Sequence, residues 1–266
     1  MTLEDSRVWI FVGLWLLLAV LESFASAGGR QSPRSLRWRR HLGLAGLYVL
    51  MLRIIAPGGA VVGALWADEN HAGLLQQVQW PAWAGWALSL LVLDLAIYWQ
   101  HRIFHLRPLW WLHAVHHSDN EFDLSTGIRF HPFEILLSLI WKICVVVALG
   151  APAEVVLLYE IILSSMALFT HADVRLPESV DRPLRRLIVT PNMHRIHHST
   201  RQYETDSNYG NALSVWDRLF RSYRSQPDPG FQFGLERWRA PADQRLGRLL
   251  GQPFDDEPGT DRLDSD

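Results

Sequence analysis

Cysteine is almost missing from this sequence: there is one, Cys144, inside an apolar run. A single thiol forms no internal disulfide and supplies no cysteine-ligated zinc or iron–sulfur site, which excludes a stapled, secreted fold. Lysine is as scarce, with Lys142 the one Lys among 25 basic side chains. There is no Gly-rich phosphate loop, no Ser-centred nucleophile elbow, no H-E-x-x-H and no internal repeat. The usual signatures of nucleotide binding, serine hydrolysis and zinc proteolysis are therefore lacking. The net charge is only −2 over 266 residues, which excludes a basic nucleic-acid binder. At 49% hydrophobic residues the chain is also too apolar to be disordered as a whole.

What is present is long apolar runs. Residues 8–27 are long enough to span a bilayer, with Glu22 the only charge. A second run, about 42–66, carries Arg53 and a Pro57-Gly58-Gly59 break, and a third covers 82–99. The third is flanked by Trp80, Trp83 and Trp86 on one side and Trp99, Trp110 and Trp111 on the other, the pattern of an interfacial belt. Two shorter runs, 135–149 and 153–169, joined by Gly150-Ala151-Pro152, predict a helical hairpin that returns to the side it left. The expected fold is all-α: a membrane bundle of about four to five segments with a cytoplasmic, His-rich helical cap. Residues 1–81 form anchor helices, 82–225 a catalytic domain and 226–266 a polar, partly disordered tail.

Arginine orients the bundle. Residues 28–40 hold five Arg and no acid, whereas 67–81 hold Asp68 and Glu69 and no Lys or Arg. The positive-inside bias puts the first in the cytoplasm and the second outside. Ala25-Ser26-Ala27 has the form of a signal cleavage site, but the Arg cluster that follows resists translocation, so an uncleaved anchor is expected.

The chemistry is in the histidines. Eight of the twelve fall in three groups: His101 and His105; His113, His116 and His117; His194, His197 and His198. Spacings of three and four share a helix face, so each group aims two or three imidazoles at a common point. Crowded protonated rings would repel, and neutral rings around a metal would not. Three or four ligands serve one zinc ion, so this many imply two metal ions. A site so rich in imidazole suits iron, with zinc the competitor. His171, in line with Glu160, Ser164 and Ala167, is a further candidate ligand. His131, just before Pro132, is a candidate ligand, partner of a ligand, or helix cap. His41 and His71 are expected to be ordinary surface or interfacial residues.

These groups, with His131-Pro132-Phe133-Glu134, Thr170-His171-Ala172-Asp173, Arg175-Leu176-Pro177, Asn208-Tyr209-Gly210-Asn211 and Trp216-Asp217-Arg218-Leu219-Phe220, resemble the fatty acid hydroxylase and sterol desaturase superfamily of membrane di-iron enzymes. The likeness spans about 90–224, and Asp173 stands where many relatives have Asn. It implies two iron ions, O2 as co-substrate, and hydroxylation or desaturation of a sterol, fatty acyl or related lipid drawn from the bilayer. With no His-Pro-Gly-Gly haem element in the sequence, electrons are expected from a separate reductase with ferredoxin, or from a cytochrome b5-type donor. A zinc-dependent membrane hydrolase and a non-catalytic metal-binding membrane protein are the alternatives. A bacterial inner membrane is the expected location.

Three further expectations concern single residues. Asp94, Tyr98, His101 and His105 form one stripe, so Asp94 is expected to bond a ligand His or a polar neighbour of one. Lys142 and Glu160 lie nine residues either side of Ala151 and should pair within the hairpin. Glu134, Asn208 and Asp217 are candidates either for binding the metal or for holding its ligands in place, and Arg195 for a supporting role.

Overall fold

The computed structural model describes residues 3–25 and 32–255. Ser26 and Ala27 of the cleavage-like triplet, and the acidic end beyond 255, lie outside the described residues. The described chain is helical, with no strand and only two isolated β-bridges.

Helix α1 (Leu3–Ala25) is followed by α2 (Arg34–Ile55) and α3 (Gly59–Glu69). The chain breaks between α2 and α3 where Pro57 and Gly58 were expected to break it, Gly58 taking a left-handed φ of 81°. Helix α4 (Ala82–Phe104) runs past the apolar stretch to carry His101 inside its last turn. Short α5 (Trp110–His117) leads into the hairpin of α6 (Pro132–Leu149) and α7 (Ala153–Thr170). The cap is completed by α8 (Glu178–Leu184), α9 (Pro191–His197), α10 (Gln202–Thr205), α11 (Val215–Leu219) and α12 (Leu246–Gly251).

Among the described residues, five spans are long and apolar enough to cross a membrane: 6–24, 34–77, 82–104, 132–149 and 153–170. The protein is an integral membrane protein, and the large apolar side chains it leaves exposed (Trp9, Leu16, Leu50, Ile54, Trp83, Ile140) are those a bilayer would cover. Helices α3 and α4 each pack against both arms of the hairpin, and α1 packs along α7. The turn at Gly150 (φ 71°) sits against Gly73, where a Cβ on Gly73 would lie 2.2 Å from the Gly150 nitrogen. The 67–81 loop and the hairpin tip therefore share the end opposite the cap, and the hairpin leaves from and returns to the cap side. Within it, Lys142 Nζ meets Glu160 Oε1 at 2.7 Å, as the symmetric placement predicts, and Arg7 pairs with the other Glu160 oxygen.

Charges from α1 and α2 seat the cap. Glu22 is fully buried and accepts the backbone N–H of Leu124 (2.7 Å) and Asp173 (2.8 Å). Arg37 donates to both Asp119 oxygens (2.6 and 2.9 Å) and to Asp123 (3.1 Å). Arg129, also buried, reaches Asp119 (3.3 Å), the Val115 carbonyl (2.9 Å) and Gln244 (2.7 Å). Burial alone would raise the Asp119 carboxyl, but Arg37 and Arg129 hold it well below the usual range. His41 joins this network through Ser125 Oγ (2.7 Å), so it is a core residue and not the surface one expected.

The polar end from 226 is more ordered than its composition suggests. Through residue 255 it is fastened by sparse anchors: Phe233 stacked on Phe122, buried Trp238, Gln244 bonded to the Ser118 carbonyl, and Leu249 buried against Leu44 and Val115. A few well-spaced apolar residues are enough to hold an otherwise hydrophilic segment when a preformed surface receives them.

Substituting Arg37→Leu would leave the buried Asp119 and Asp123 short of their main cation. It is expected to destabilise the protein by about 3–5 kcal/mol, read as a lowered unfolding midpoint in detergent, whereas Arg39→Ala on the exposed face of α2 should shift it little.

Candidate metal centre

Nine histidines come together in two clusters, each with candidate ligand nitrogens within 4.8 Å of one another. One holds His101, His105, His113, His117 and His197; the other holds His116, His171, His194 and His198. Each H-x-x-H-H group is divided. His113 and His117 go to the first cluster and His116 to the second, while His194 and His198 go to the second and His197 to the first. The cause is the helix: residues four apart return to within about 40° of one another, and the third departs to the other side by about 60°. The expectation that one group aims at one point is corrected accordingly.

The ring orientations are set by oxygen acceptors. His101 Nδ1 donates to the Tyr209 carbonyl (2.7 Å), His197 Nδ1 to the Ser207 carbonyl (2.7 Å) and His171 Nδ1 to the Ala167 carbonyl (2.7 Å). A carbonyl only accepts, so each of these rings carries its proton on Nδ1 and presents a bare Nε2 lone pair. Carboxylates serve the same purpose for His113 (Glu134 Oε1, 2.7 Å) and His105 (Asp206 Oδ1, 2.9 Å).

The lone pairs then face one another. His197 Nε2 and His101 Nε2 are 2.9 Å apart with both Nδ1 protons already committed. In the second cluster His171 Nε2 lies 3.2, 3.1 and 3.1 Å from the Nε2 atoms of His116, His198 and His194. The bare lone pairs of His101 and His197 repel at such a distance unless a cation sits between them, and the one lone pair of His171 Nε2 can accept a proton from at most one of its three neighbours. The separations are those of imidazole nitrogens sharing one ion at bonds of about 2 Å. The donor set therefore fits a metal ion in each cluster.

Aromatic rings shut water out. Phe130 stacks on His116 at 4.4 Å and 12°, Trp110 lies against His105 and His117, and Tyr209 against His101 and His105. Burial holds His116, His117, His194, His197 and His198 well below the ordinary imidazole value, and neighbouring rings reinforce it. Burial likewise lowers His171 to about 4, against the pull of the Ala167 carbonyl. These rings are neutral at neutral pH, the form that binds metal. Gly127 permits the approach, since a Cβ there would lie 2.5 Å from the Ala167 oxygen and 3.3 Å from His171 Nδ1.

The other expected residues take distinct places. Glu134 touches His113 directly. Asn208 sits at a left-handed φ of 54° between the Ser207 and Tyr209 carbonyls that hold His197 and His101. Its side chain fixes that turn through Met193 O (3.0 Å), Arg224 O (3.0 Å) and Arg224 N (2.9 Å). Asp217 accepts Tyr209 N, Gly210 N and the Ser222 hydroxyl, and burial raises its carboxyl to about 6 despite these bonds. Asp94 bonds no histidine. It accepts Tyr159 OH (3.1 Å), Leu213 N (3.1 Å) and Trp216 Nε1 (2.8 Å), tying α4 and α7 to the 213–216 segment that follows the turn holding His101. His131 lies outside both clusters as the cap of α6, its Nδ1 accepting Phe133 N (3.2 Å). Arg195 donates to the Pro191 and Val174 carbonyls. Asp206 and the carbonyls of Ser207 and Tyr209 were not foreseen; the one signal was their adjacency to the Asn208-Tyr209-Gly210 element.

Comparison with known proteins follows the same lines. A fatty acid hydroxylase family model matches residues 86–222. An ornithine lipid hydroxylase (OlsE) of Rhizobium tropici is 32% identical over 152 residues, covering 57% of this chain and 45% of that protein. An alkylglycerol monooxygenase of Danio rerio is 31% identical over 220 residues, covering 82% of this chain and 47% of that protein. A Homo sapiens alkylglycerol monooxygenase is 30% identical over 164 residues, 59% and 34% of the two chains. The chain spans about half the length of the first two relatives. No solved structure matches it.

Two outcomes are expected from this geometry. Glu134→Gln should weaken metal retention by roughly 10–100-fold in chelator competition, because His113 loses the carboxylate that orients it. In metal-free protein the lowered histidines make the folded state bind fewer protons than the unfolded one below the ordinary imidazole value of about 6.5. Stability should thus be full above that pH and fall as pH drops toward about 4, the value for His171, seen as a declining unfolding midpoint between pH 7.5 and 5.

Proposed function

The chain belongs to the fatty acid hydroxylase family, and we propose that it is a membrane-bound, O2-dependent lipid oxidoreductase whose two histidine clusters each hold an iron ion. The observation that carries this reading is the convergence of nine imidazoles, eight buried and His101 half-buried, on two points, five of them with Nδ1 committed to an oxygen acceptor. Donor type alone suits iron or zinc; the family and the oxygen-inserting names of the relatives favour iron. Bound, reduced iron supplies the activation of O2 for attack on an unactivated C–H bond, with the balance R–H + O2 + 2e⁻ + 2H⁺ → R–OH + H2O.

The chain's own residues supply the rest. His101, His105, His113, His117 and His197 would hold one ion, and His116, His171, His194 and His198 the other. Tyr209, Ser207, Ala167, Asp206 and Glu134 keep the rings in the metal-binding tautomer. Phe130 and Trp110 keep water from the oxidising chemistry. The apolar bundle delivers the substrate, a lipid that enters between helices from the bilayer. Relatives named for hydroxylating ornithine lipid and oxygenating alkylglycerol favour hydroxylation over desaturation, on a lipid with a polar head group. The Arg-rich 28–40 segment supports a cytoplasmic cap, and the membrane of this reading is a bacterial inner membrane. Electrons come from a separate reductase with ferredoxin, or from a cytochrome b5-type carrier.

Metal analysis of detergent-purified protein beside His197→Ala tests this. The wild type should hold about two irons per chain and the variant fewer. Lipid extracts of cells carrying the wild type should contain a species heavier by one oxygen, missing with His197→Ala. Zinc that persists after expression in iron-rich medium, with activity undiminished in the absence of O2, would make the protein a hydrolase instead.

A further inference from the structure

Part of the cap lies beside the membrane spans rather than beyond them. Asp94 of α4 accepts Leu213 N and Trp216 Nε1 from the cap and the Tyr159 hydroxyl from α7. Asp94 stands ten residues before Phe104, the cap-side end of α4, and Tyr159 eleven before Thr170, that of α7. At about 1.5 Å per residue both lie roughly 15 Å back along their helices. Two spans thus agree in putting segment 213–216 at membrane depth. Exposed Trp99, nearer the cap and part of the expected interfacial belt, meets Phe220 edge-on at 4.9 Å. The 187–189 stretch follows the same course, with Val189 N donating to the Ala212 carbonyl (2.9 Å) and Ser214 N to the Leu187 carbonyl (3.0 Å).

What these segments turn outward is apolar and cationic. Leu187 and Leu219 are 67% and 65% exposed, and Leu184 is exposed as well. Residues 178–188 and 213–221 hold five Arg (182, 185, 186, 218 and 221) and three carboxylates (Glu178, Asp181 and Asp217). The carboxylates are all engaged. Asp217 is buried and accepts Tyr209 N and Gly210 N, Asp181 is buried against Thr190 and Arg185, and Glu178 pairs with Arg185. Half-buried Arg218 donates to Ser214 and stacks on Tyr223. Exposed Arg182, Arg186 and Arg221 have no carboxylate partner among the described residues, and they flank the exposed leucines. Leucine side chains at membrane depth beside arginines with no acid of their own match a medium of hydrocarbon bordered by phosphate.

We propose that segments 184–188 and 213–221 are seated in the bilayer leaflet on the cap side, and that this seat prefers anionic phospholipid. Leu184, Leu187 and Leu219 enter among the acyl chains, while Arg182, Arg186 and Arg221 reach the headgroup phosphates. The proposal rests on the helices crossing a membrane and not on which metal the histidines hold. Its consequence for the clusters is direct: α9 opens two residues after Val189 and carries His194 and His197. One short helix therefore joins the leaflet contact to both clusters, and the composition of the leaflet acts on how firmly they are held against the membrane.

Spin labelling of the full chain in nanodiscs containing phosphatidylglycerol and phosphatidylcholine tests this. With Cys144→Ser removing the one native thiol, labels are placed on Leu187→Cys, Leu219→Cys and, as a control, Gln202→Cys, an exposed site beyond the far end of α9. Oxygen concentrates in hydrocarbon and a Ni(II) chelate in water. The ratio of oxygen to nickel accessibility should be severalfold higher at 187 and at 219 than at 202. Separately, spin-labelled phosphatidylglycerol should show a larger motionally restricted fraction against the unlabelled protein than spin-labelled phosphatidylcholine. That excess should shrink in Arg182→Gln/Arg186→Gln/Arg221→Gln and at high salt. A label at either 187 or 219 as open to nickel as the one at 202 would overturn the seat in the leaflet. An excess that the three substitutions leave unchanged would overturn the arginine contact with anionic headgroups.

Discussion

Nine imidazoles, eight buried and one half-buried, with ring nitrogens aimed at one another, are the constraint around which the rest of this protein is arranged. Left alone, such rings would turn their nitrogens toward any donor within reach, and protonation would drive them apart. Five are denied that freedom because Nδ1 is spent on an oxygen, and four of those five belong to the five-histidine cluster. Only His171 is held in this way in the other cluster, which is also the one that Phe122 connects to the cap surface. The two positions are chemically unequal: one is braced by two carboxylates and two carbonyls, the other chiefly by packing. A braced ring loses little freedom when it binds an ion, whereas a ring held by packing can still adjust its angle.

Much of this was legible in the sequence, for a definite reason. Membrane spans are written in long apolar runs, and histidines at three- and four-residue spacing on a helix must share a neighbourhood; both are local properties. Lys142 with Glu160 was readable too, because a hairpin relates its arms by simple counting. Which histidine joins which cluster was not, since it depends on how α5 and α9 approach each other across the centre. Nor were the acceptors legible. Two are backbone carbonyls of Ser207 and Tyr209, which leave no mark on residue identity, and they point correctly only because Asn208 tolerates a left-handed φ of 54°. Asp94 shows the limit of face-counting. It lies on the His101 stripe, yet its carboxylate serves Trp216, Leu213 and Tyr159. The helix supplies the direction of a side chain, and tertiary packing decides what meets it.

The anchor helices are more than an anchor, and Glu22 is the clearest reason. A carboxylate near the end of an apolar span is costly to bury, and it is tolerated here because Arg34 pairs with one oxygen while the other satisfies two backbone donors at once, Leu124 N and Asp173 N. Leu124 opens the short turn that carries Gly127, and Gly127 is the residue whose missing Cβ lets the chain lie against Ala167 and His171. Asp173 follows His171 by two residues. One side chain from α1 therefore clamps both segments that flank His171, while Arg37 from α2 clamps Asp119 and Asp123 just beyond His116 and His117. The depth of the clusters relative to the bilayer is thereby set by residues that the bilayer-spanning helices themselves contribute. A centre of the proposed function, acting on one carbon of a membrane lipid, would need its reach fixed against the membrane, and a cap joined to the bundle only through flexible loops would not provide it.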